Sequence, residues 1–178
     1  MLYIRHGEKS YKNGDSDNYP LDPDLTETGK HQAKIFFRSL LDNYNIPPKI
    51  ISSPYLRARE TAQIAQDVIL ENTGIKIPIL YDPNIGEYLG HQKNICLEDG
   101  LHPETLLLNP IPHETFEQYR RRVLKHVSYA ENAWYISHGM VIKSVAHFKG
   151  YDIDYPDPLG SILINNDVVT TINLSNGS

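Results

Sequence analysis

One residue in 178 is a cysteine, Cys96, so the chain cannot close an internal disulfide. Nothing in its thiol content calls for an oxidising compartment. No apolar run comes near the roughly 20 residues that a membrane-spanning helix needs. An excess of basic charge is also missing: 17 Lys and Arg stand against 22 Asp and Glu, a formal net charge of −5. That balance argues against a nucleic-acid or anionic-membrane binder held by bulk electrostatics, while allowing a local positive pocket. Repeats and low-complexity linkers are absent too. The opening "MLYIRHGE" does not read as a secretory leader, because Arg5 and His6 interrupt it. The expectation is a cytoplasmic protein with neither membrane nor nucleic acid as partner. No signal speaks to its oligomeric state.

What is present suits a single domain over residues 1–178, with 40% apolar residues to build a core. Met1 to Ile4 reads as a short strand. Residues 7–24 are rich in Gly, Asn, Asp, Pro and Ser and read as a long loop. Thr26 is a plausible N-cap for a helix with Ala33, Phe36, Phe37, Leu40 and Leu41 on one face, stopped by Pro47-Pro48. Lys49 to Ser52 is a second strand. Pro54 fits the first turn of a second helix, whose apolar face is Leu56, Ala62, Ala65, Val68 and Ile69 and whose end is Gly74.

Ile77 to Leu80 reads as a third strand, and residues 82–112 as irregular structure. His113 to Val127 reads as a helix burying Phe116, Tyr119, Val123, Leu124 and Val127. Ala133 to Ser137 is a fourth strand and Gly139 to Phe148 a further helix. "SILINNDVVTTINL" is a hairpin turning at Asn165-Asn166-Asp167. Strand-helix alternation of this kind indicates an α/β sandwich around a mostly parallel central sheet.

Four short stretches end apolar runs or begin helices: "YIRHGE", "SSPYLRARETAQ", "NIGEYLG" and "WYISHGM". Ligands of open α/β sheets bind outside the carboxyl ends of the strands, which is where these stretches fall. Together they offer two guanidinium forks, Arg5 and Arg57, suited to phosphate oxygens. They add two imidazoles, His6 and His138, each followed by a glycine, and one carboxyl group, Glu87. A phosphate ester carries about −1.5 to −2 charges near neutral pH. Two arginines and a cationic histidine would balance it without a metal. One imidazole would remain to attack phosphorus, and one carboxyl to give the leaving oxygen a proton. The eight histidines show no convincing metal-ligand spacing; most suit the surface, and His147 suits packing.

In this order the stretches resemble the histidine phosphatase, or phosphoglycerate-mutase-like, superfamily. "LYIRHGE" resembles its strand-one signature. "DPDLTETGKHQA" is similar to the segment opening its first long helix, through Leu25, Thr26, Gly29, Gln32 and Ala33. "SSPYLRARETA" resembles a further motif through Ser53, Pro54, Arg57, Ala58, Thr61 and Ala62. "IGEYLG" resembles the acid-bearing segment, and "WYISHGMVIKSV" the second histidine motif. "ETFEQYRRRV" resembles the helix before it.

The resemblance implies a three-layer α/β/α sandwich. It implies His6 as nucleophile, Arg5, Arg57 and His138 as phosphate-binding groups, and Glu87 as proton donor. It also implies a lid over residues 88–112, no cofactor and no metal. The chain is short for a mutase's fuller substrate clamp, and Pro112-His113-Glu114-Thr115 replaces a glycine-glutamate-serine turn. Both departures favour a phosphatase acting on a small phosphorylated substrate. A mutase-type phosphotransferase and a catalytically weak phospho-ligand binding protein are the alternatives. Glu8 and Lys9 are candidate substrate-binding residues at the mouth. Tyr11, Tyr19, Tyr88 and His91 stand in the two segments expected to read the substrate.

Overall fold

Leu2, Tyr3 and Ile4 are too few for a helix, and their side chains must alternate between two faces if the backbone is extended. In the computed structural model they lie in β1 (Leu2–Arg5), inside a six-stranded sheet. The structure describes residues 1–10, 22–89, 101–108, 110–111 and 113–172. Its other strands are β2 (Ile50–Ser52), β3 (Ile79–Tyr81), β4 (Trp134–Ser137), β5 (Ser161–Asn165) and β6 (Val168–Ile172), in the order β3-β2-β4-β1-β5-β6. The first four positions in that order pair in parallel. The β5–β6 hairpin closes one side antiparallel to β1. The mostly parallel α/β/α sandwich expected from the sequence is thus present.

Alternation along the strands divides the core in two. Leu2, Ile4, Ile50, Trp134 and Ile136 pack beneath α1 (Glu27–Asn43) and α2 (Leu56–Thr73). Tyr3 and Tyr135 lie on the opposite face. After the short helix α3 (Pro103–Leu107), that face is covered by α4 (Phe116–Tyr129) and α5 (Gly139–Phe148). Each fully buried aliphatic or aromatic side chain contributes about 1.5–3 kcal/mol through burial. No helix among the described residues is long and apolar enough to cross a membrane.

Several boundaries differ from their expected places. Thr26 does cap α1, accepting a bond from the Gly29 N–H at 2.8 Å, but the helix ends at Asn43, ahead of Pro47-Pro48. Pro54 is not in the first turn of α2; extended Tyr55 precedes the helix, and Leu56 is only partly buried. Gly74 ends α2 in the left-handed region at φ 72°, as its lack of a Cβ allows. The third strand starts at Ile79 rather than Ile77.

Residues 82–112 are not wholly irregular. They hold a 3₁₀ turn (Pro83–Ile85) and α3, whose N-cap His102 accepts from the Glu104 N–H. A proline at the first helical position could have marked both. Residues 90–100, 109 and 112 of the expected lid lie outside the described residues, as do Tyr11, Tyr19 and His91.

Helix α4 begins later than expected, at a capping box between Thr115 and Gln118. Its buried face is Tyr119, Arg122, Val123 and His126. Phe116 and Leu124 are half exposed. The apolar periodicity misleads here because two polar side chains, Arg122 and His126, have buried partners and take the inward positions. His147 was expected to pack but lies exposed on α5. Asn166 and Asp167 adopt positive φ, 47° and 65°, which suits the twist of a two-residue hairpin turn.

Gly29 shows how closely α1 approaches the strand-one loop. A Cβ there would stand 2.5 Å from the Glu8 carbonyl oxygen and 2.9 Å from the Glu8 nitrogen. Backbone on both sides leaves little room to relax. Gly29→Ala should therefore lower the unfolding free energy by about 1–3 kcal/mol, measured by urea denaturation. An unchanged midpoint would contradict this packing.

Candidate active site

Parallel register brings the two histidines together. Arg5 pairs with Ser137 across β1 and β4, so the following residues, His6 and His138, leave adjacent strand ends. The His6 N–H donates to the Ser137 carbonyl at 2.9 Å, and the two rings lie 5.2 Å apart, centre to centre. Strand β2 ends beside them, and the start of α2 carries Arg57 inward. The 3₁₀ turn after β3 delivers Glu87.

His6 is buried, and its tautomer is set by its neighbours. Nδ1 lies 2.7 Å from the Gly7 carbonyl, which can only accept, so Nδ1 carries the proton. Nε2 therefore keeps its lone pair, and the Arg57 Nε–H donates to it at 3.2 Å. Behind this pair, the Gly7 N–H donates to the Thr61 hydroxyl, which donates to the Arg57 carbonyl at 2.7 Å. Burial first, then the charge of Arg57, the neighbouring His138 and Arg5, push the His6 pKa well below its usual 6.5, while the Gly7 carbonyl opposes them. His6 is neutral at pH 7.

His138 is wholly buried between a hydroxyl and a carboxylate. Its Nε2 lies 2.8 Å from Ser53 Oγ, and its Nδ1 faces Glu87 Oε2 at 3.3 Å. Burial lowers its pKa to about 4, with Glu87 opposing. For Glu87, burial acts upward, but His138, Arg57 and the Tyr88 N–H outweigh it and hold the carboxyl at about 2. At neutral pH the protein's own groups thus present a carboxylate and a neutral imidazole. Without a bound anion this differs from the cationic histidine expected from the sequence: desolvation disfavours the imidazolium, and the nearby cation favours the carboxylate. A phosphate dianion beside them would reverse both preferences.

The cations have their own supports. Arg57 ion-pairs with Glu87 at 3.6 Å and with buried Asp22 at 3.8 Å. Asp22 also accepts from the Leu56 N–H and the Thr105 hydroxyl, so it ties the start of α2 to α3. Arg5 donates to the Pro156 carbonyl at 2.6 Å and stacks its guanidinium 5.0 Å from the Tyr155 ring centre. Tyr155 lies against Gly139, where a Cβ would meet its ring at 2.4 Å. Arg5 Nε, Arg57 Nη1 and His138 Nδ1 are buried without a hydrogen-bond partner, a donor set that suits an anion.

Lys9 stands near the same groups. Burial first, then Arg57, lower its pKa to about 8. Glu8 is placed by its backbone, whose carbonyl accepts from the Thr26 N–H at 2.9 Å.

His6, Glu87 and His138 have nitrogen and oxygen atoms within 4.8 Å of one another, which could in principle hold a metal ion. Two guanidinium groups beside them oppose a cation and favour an anion.

Asp22, Ser53, Thr61, Tyr155 and Arg122 support the site but were not singled out as functional from the sequence. Ser53 and Thr61 belong to a motif quoted above. The others act through contacts distant in the chain.

Two histidines and two arginines brought together with a buried carboxylate at the carboxyl ends of parallel strands define the class. The chain belongs to the histidine phosphatase superfamily (branch 1), whose sequence profile matches residues 1–177. A phosphoglycerate mutase from Thermus thermophilus shares the fold, with 22% identity, 98% of each chain covered and a TM-score of 0.65. A proposed alpha-ribazole-5'-P phosphatase from Escherichia coli is similar at 22% identity and TM-score 0.63, covering 97% of this chain and 94% of that one. A mycobacterial glucosyl-3-phosphoglycerate phosphatase is similar at 21% identity and TM-score 0.61, with coverages of 91% and 87%. No curated protein sequence matches the chain.

The shifts have a checkable sign. His6 and His138 have folded pKa values below their unfolded value, so below about 6.5 the unfolded chain binds more protons. Stability should rise with pH through that window and be lost as pH falls. In phosphate-free buffer, NMR should show His138 titrating near 4 and His6 well below 6.5, and added phosphate should move His138 upward. Titration of either ring at 6.5 or above without an anion would contradict the assignment.

Proposed function

We propose that this chain is a metal-independent phosphatase that hydrolyses small phosphate monoesters through a phosphohistidine on His6. One observation carries the reading: His6 Nε2 keeps an unprotonated lone pair, because the opposite nitrogen is locked to the Gly7 carbonyl, and the Arg57 Nε–H that donates to it turns to a phosphoryl oxygen when substrate binds. Arg5, Arg57 and His138 bind the phosphoryl oxygens, with Arg57 and His138 turning toward the phosphate the donors that face Asp22 and Glu87 in its absence.

In the first step the His6 Nε2 lone pair forms a bond to phosphorus as the ester P–O bond breaks. Glu87 gives its proton to the departing alkoxide oxygen. The substrate dianion is what raises the Glu87 pKa enough to bring that proton in. In the second step Glu87, now ionised, takes a proton from water as the water oxygen attacks phosphorus. The N–P bond breaks, its electron pair returns to Nε2, and inorganic phosphate leaves. Lys9 and Glu8 lie at the mouth, where they contact the rest of the substrate.

A mutase-type phosphotransferase would use the same first step but pass the phosphoryl group to a second hydroxyl instead of water. The products separate the two. On phosphoglycerates the proposed phosphatase releases inorganic phosphate, whereas the mutase interconverts isomers with little net release.

His6→Ala should cut turnover of an aryl phosphate by on the order of 10³-fold or more. EDTA should leave the wild-type rate unchanged. Full activity in His6→Ala would overturn the nucleophile assignment, and loss in EDTA reversed by a divalent metal would overturn the metal-free mechanism.

A further inference from the structure

The segment that carries Glu87 is neither strand nor α-helix. The Pro83 carbonyl accepts from the Gly86 N–H at 3.1 Å within the segment, and its other carbonyls need partners from elsewhere. They find them in side chains. Arg122 Nη1 donates to the Pro83 carbonyl at 3.2 Å, the Asn84 carbonyl at 2.7 Å and the Gly86 carbonyl at 3.2 Å. Arg122 Nη2 adds a second bond to Gly86 at 3.2 Å. The remaining carbonyl, of Ile85, accepts from the Ser137 hydroxyl at 2.7 Å, one residue before His138. Four consecutive carbonyls leading to Glu87 are therefore held by side chains from outside the segment.

Arg122 is itself fixed. Its guanidinium pairs with Glu114, whose Oε2 accepts from Nε at 3.0 Å, and both side chains are nearly inaccessible, at 6% and 4%. Its charge also stacks 5.2 Å from the centre of the Tyr119 ring. On the far side of Glu87, Tyr88 packs against Phe116 and Tyr119 of the same helix. Helix α4 thus grips the residues on both sides of the acid. A buried ion pair is costly to desolvate, and an apolar pair of similar volume would often hold a helix as well. Only a fork of several N–H donors can hold these carbonyls together.

We infer that Arg122, braced by Glu114, is a positioning residue that holds Glu87 at the reach and angle needed to protonate the leaving oxygen. This rests on the reading of Glu87 as proton donor. Glu114 orients the arginine, and Thr115 caps the helix that carries it.

The test uses leaving groups of different need. An aryl ester such as 4-nitrophenyl phosphate departs with little help from an acid; an alkyl ester such as glycerol phosphate requires it. Glu87→Gln, Arg122→Lys and Glu114→Gln are compared on both, with thermal unfolding measured in parallel. Arg122→Lys should lower kcat for the alkyl ester by about 10²-fold and far less for the aryl ester. Glu114→Gln should show the same split with smaller size. Adding Arg122→Lys to Glu87→Gln should cost little more on the alkyl ester, because both changes remove one function.

A purely structural arginine would lower both esters alike. If Glu87→Gln shows the split while Arg122→Lys and Glu114→Gln show an equal fall or no change, the positioning role is overturned and the acid stands. Should Arg122→Lys fail to fold, Glu114→Gln decides by the same criterion. An absent split in Glu87→Gln overturns the acid assignment, and the positioning role with it.

Discussion

The 2.7 Å contact between His6 Nδ1 and the Gly7 carbonyl governs the rest of the site. An imidazole has two nitrogens and, when neutral, one proton. Committing that proton to a backbone carbonyl leaves the other nitrogen unprotonated, as the nucleophile of the proposed mechanism must be. Burial and three nearby cationic or ionisable groups keep the ring neutral, so the lone pair is available at ordinary pH. The guanidinium of Arg57 both depresses the His6 pKa and stands where phosphoryl oxygens would need a donor. One arrangement therefore keeps the His6 ring neutral and, in the proposed mechanism, places a donor beside the phosphoryl group.

The fold supplies this arrangement through register. Parallel pairing of β1 with β4 makes His6 and His138 neighbours without any local motif joining them. Pairing of β2 with β4 brings Ser53 to His138 and starts α2 at the right place for Arg57. Charges then accumulate in an interior that disfavours them. Asp22 and Glu87 offset Arg57, and Glu114 offsets Arg122. Such pairs do little for stability after desolvation. They hold groups in position instead, and an incoming dianion can shift protons among them.

The sheet and its helices were legible because apolar periodicity and strand length are local properties. His6, Arg57, Glu87 and His138 stood out because their stretches end apolar runs or begin helices and follow one another in the order of the family's motifs, and the fold brings all four together. Other features depend on partners far along the chain. Arg122 reads as a surface residue in "YRRRV", since nothing nearby reveals the carbonyls of residues 83–86 that draw it inward. His126 is invisible for the same reason: Asp82 and the Tyr3 hydroxyl, which flank its ring, lie in distant segments. The protonation of His138 and Glu87 also escapes, because composition shows which groups ionise and not how far each is desolvated. Helix α3 escapes because its five residues span little more than one turn, too few for an apolar face to repeat.

The proposed mechanism turns on which atom carries phosphorus. Rapid quenching of the enzyme with a phosphate ester, followed by phosphorus NMR and mass spectrometry of the trapped protein, locates the modification. Phosphorus on Nε2 of His6 is the predicted result, because the Gly7 carbonyl holds the proton on Nδ1. Phosphorus on Nδ1, or on any other residue, would contradict it.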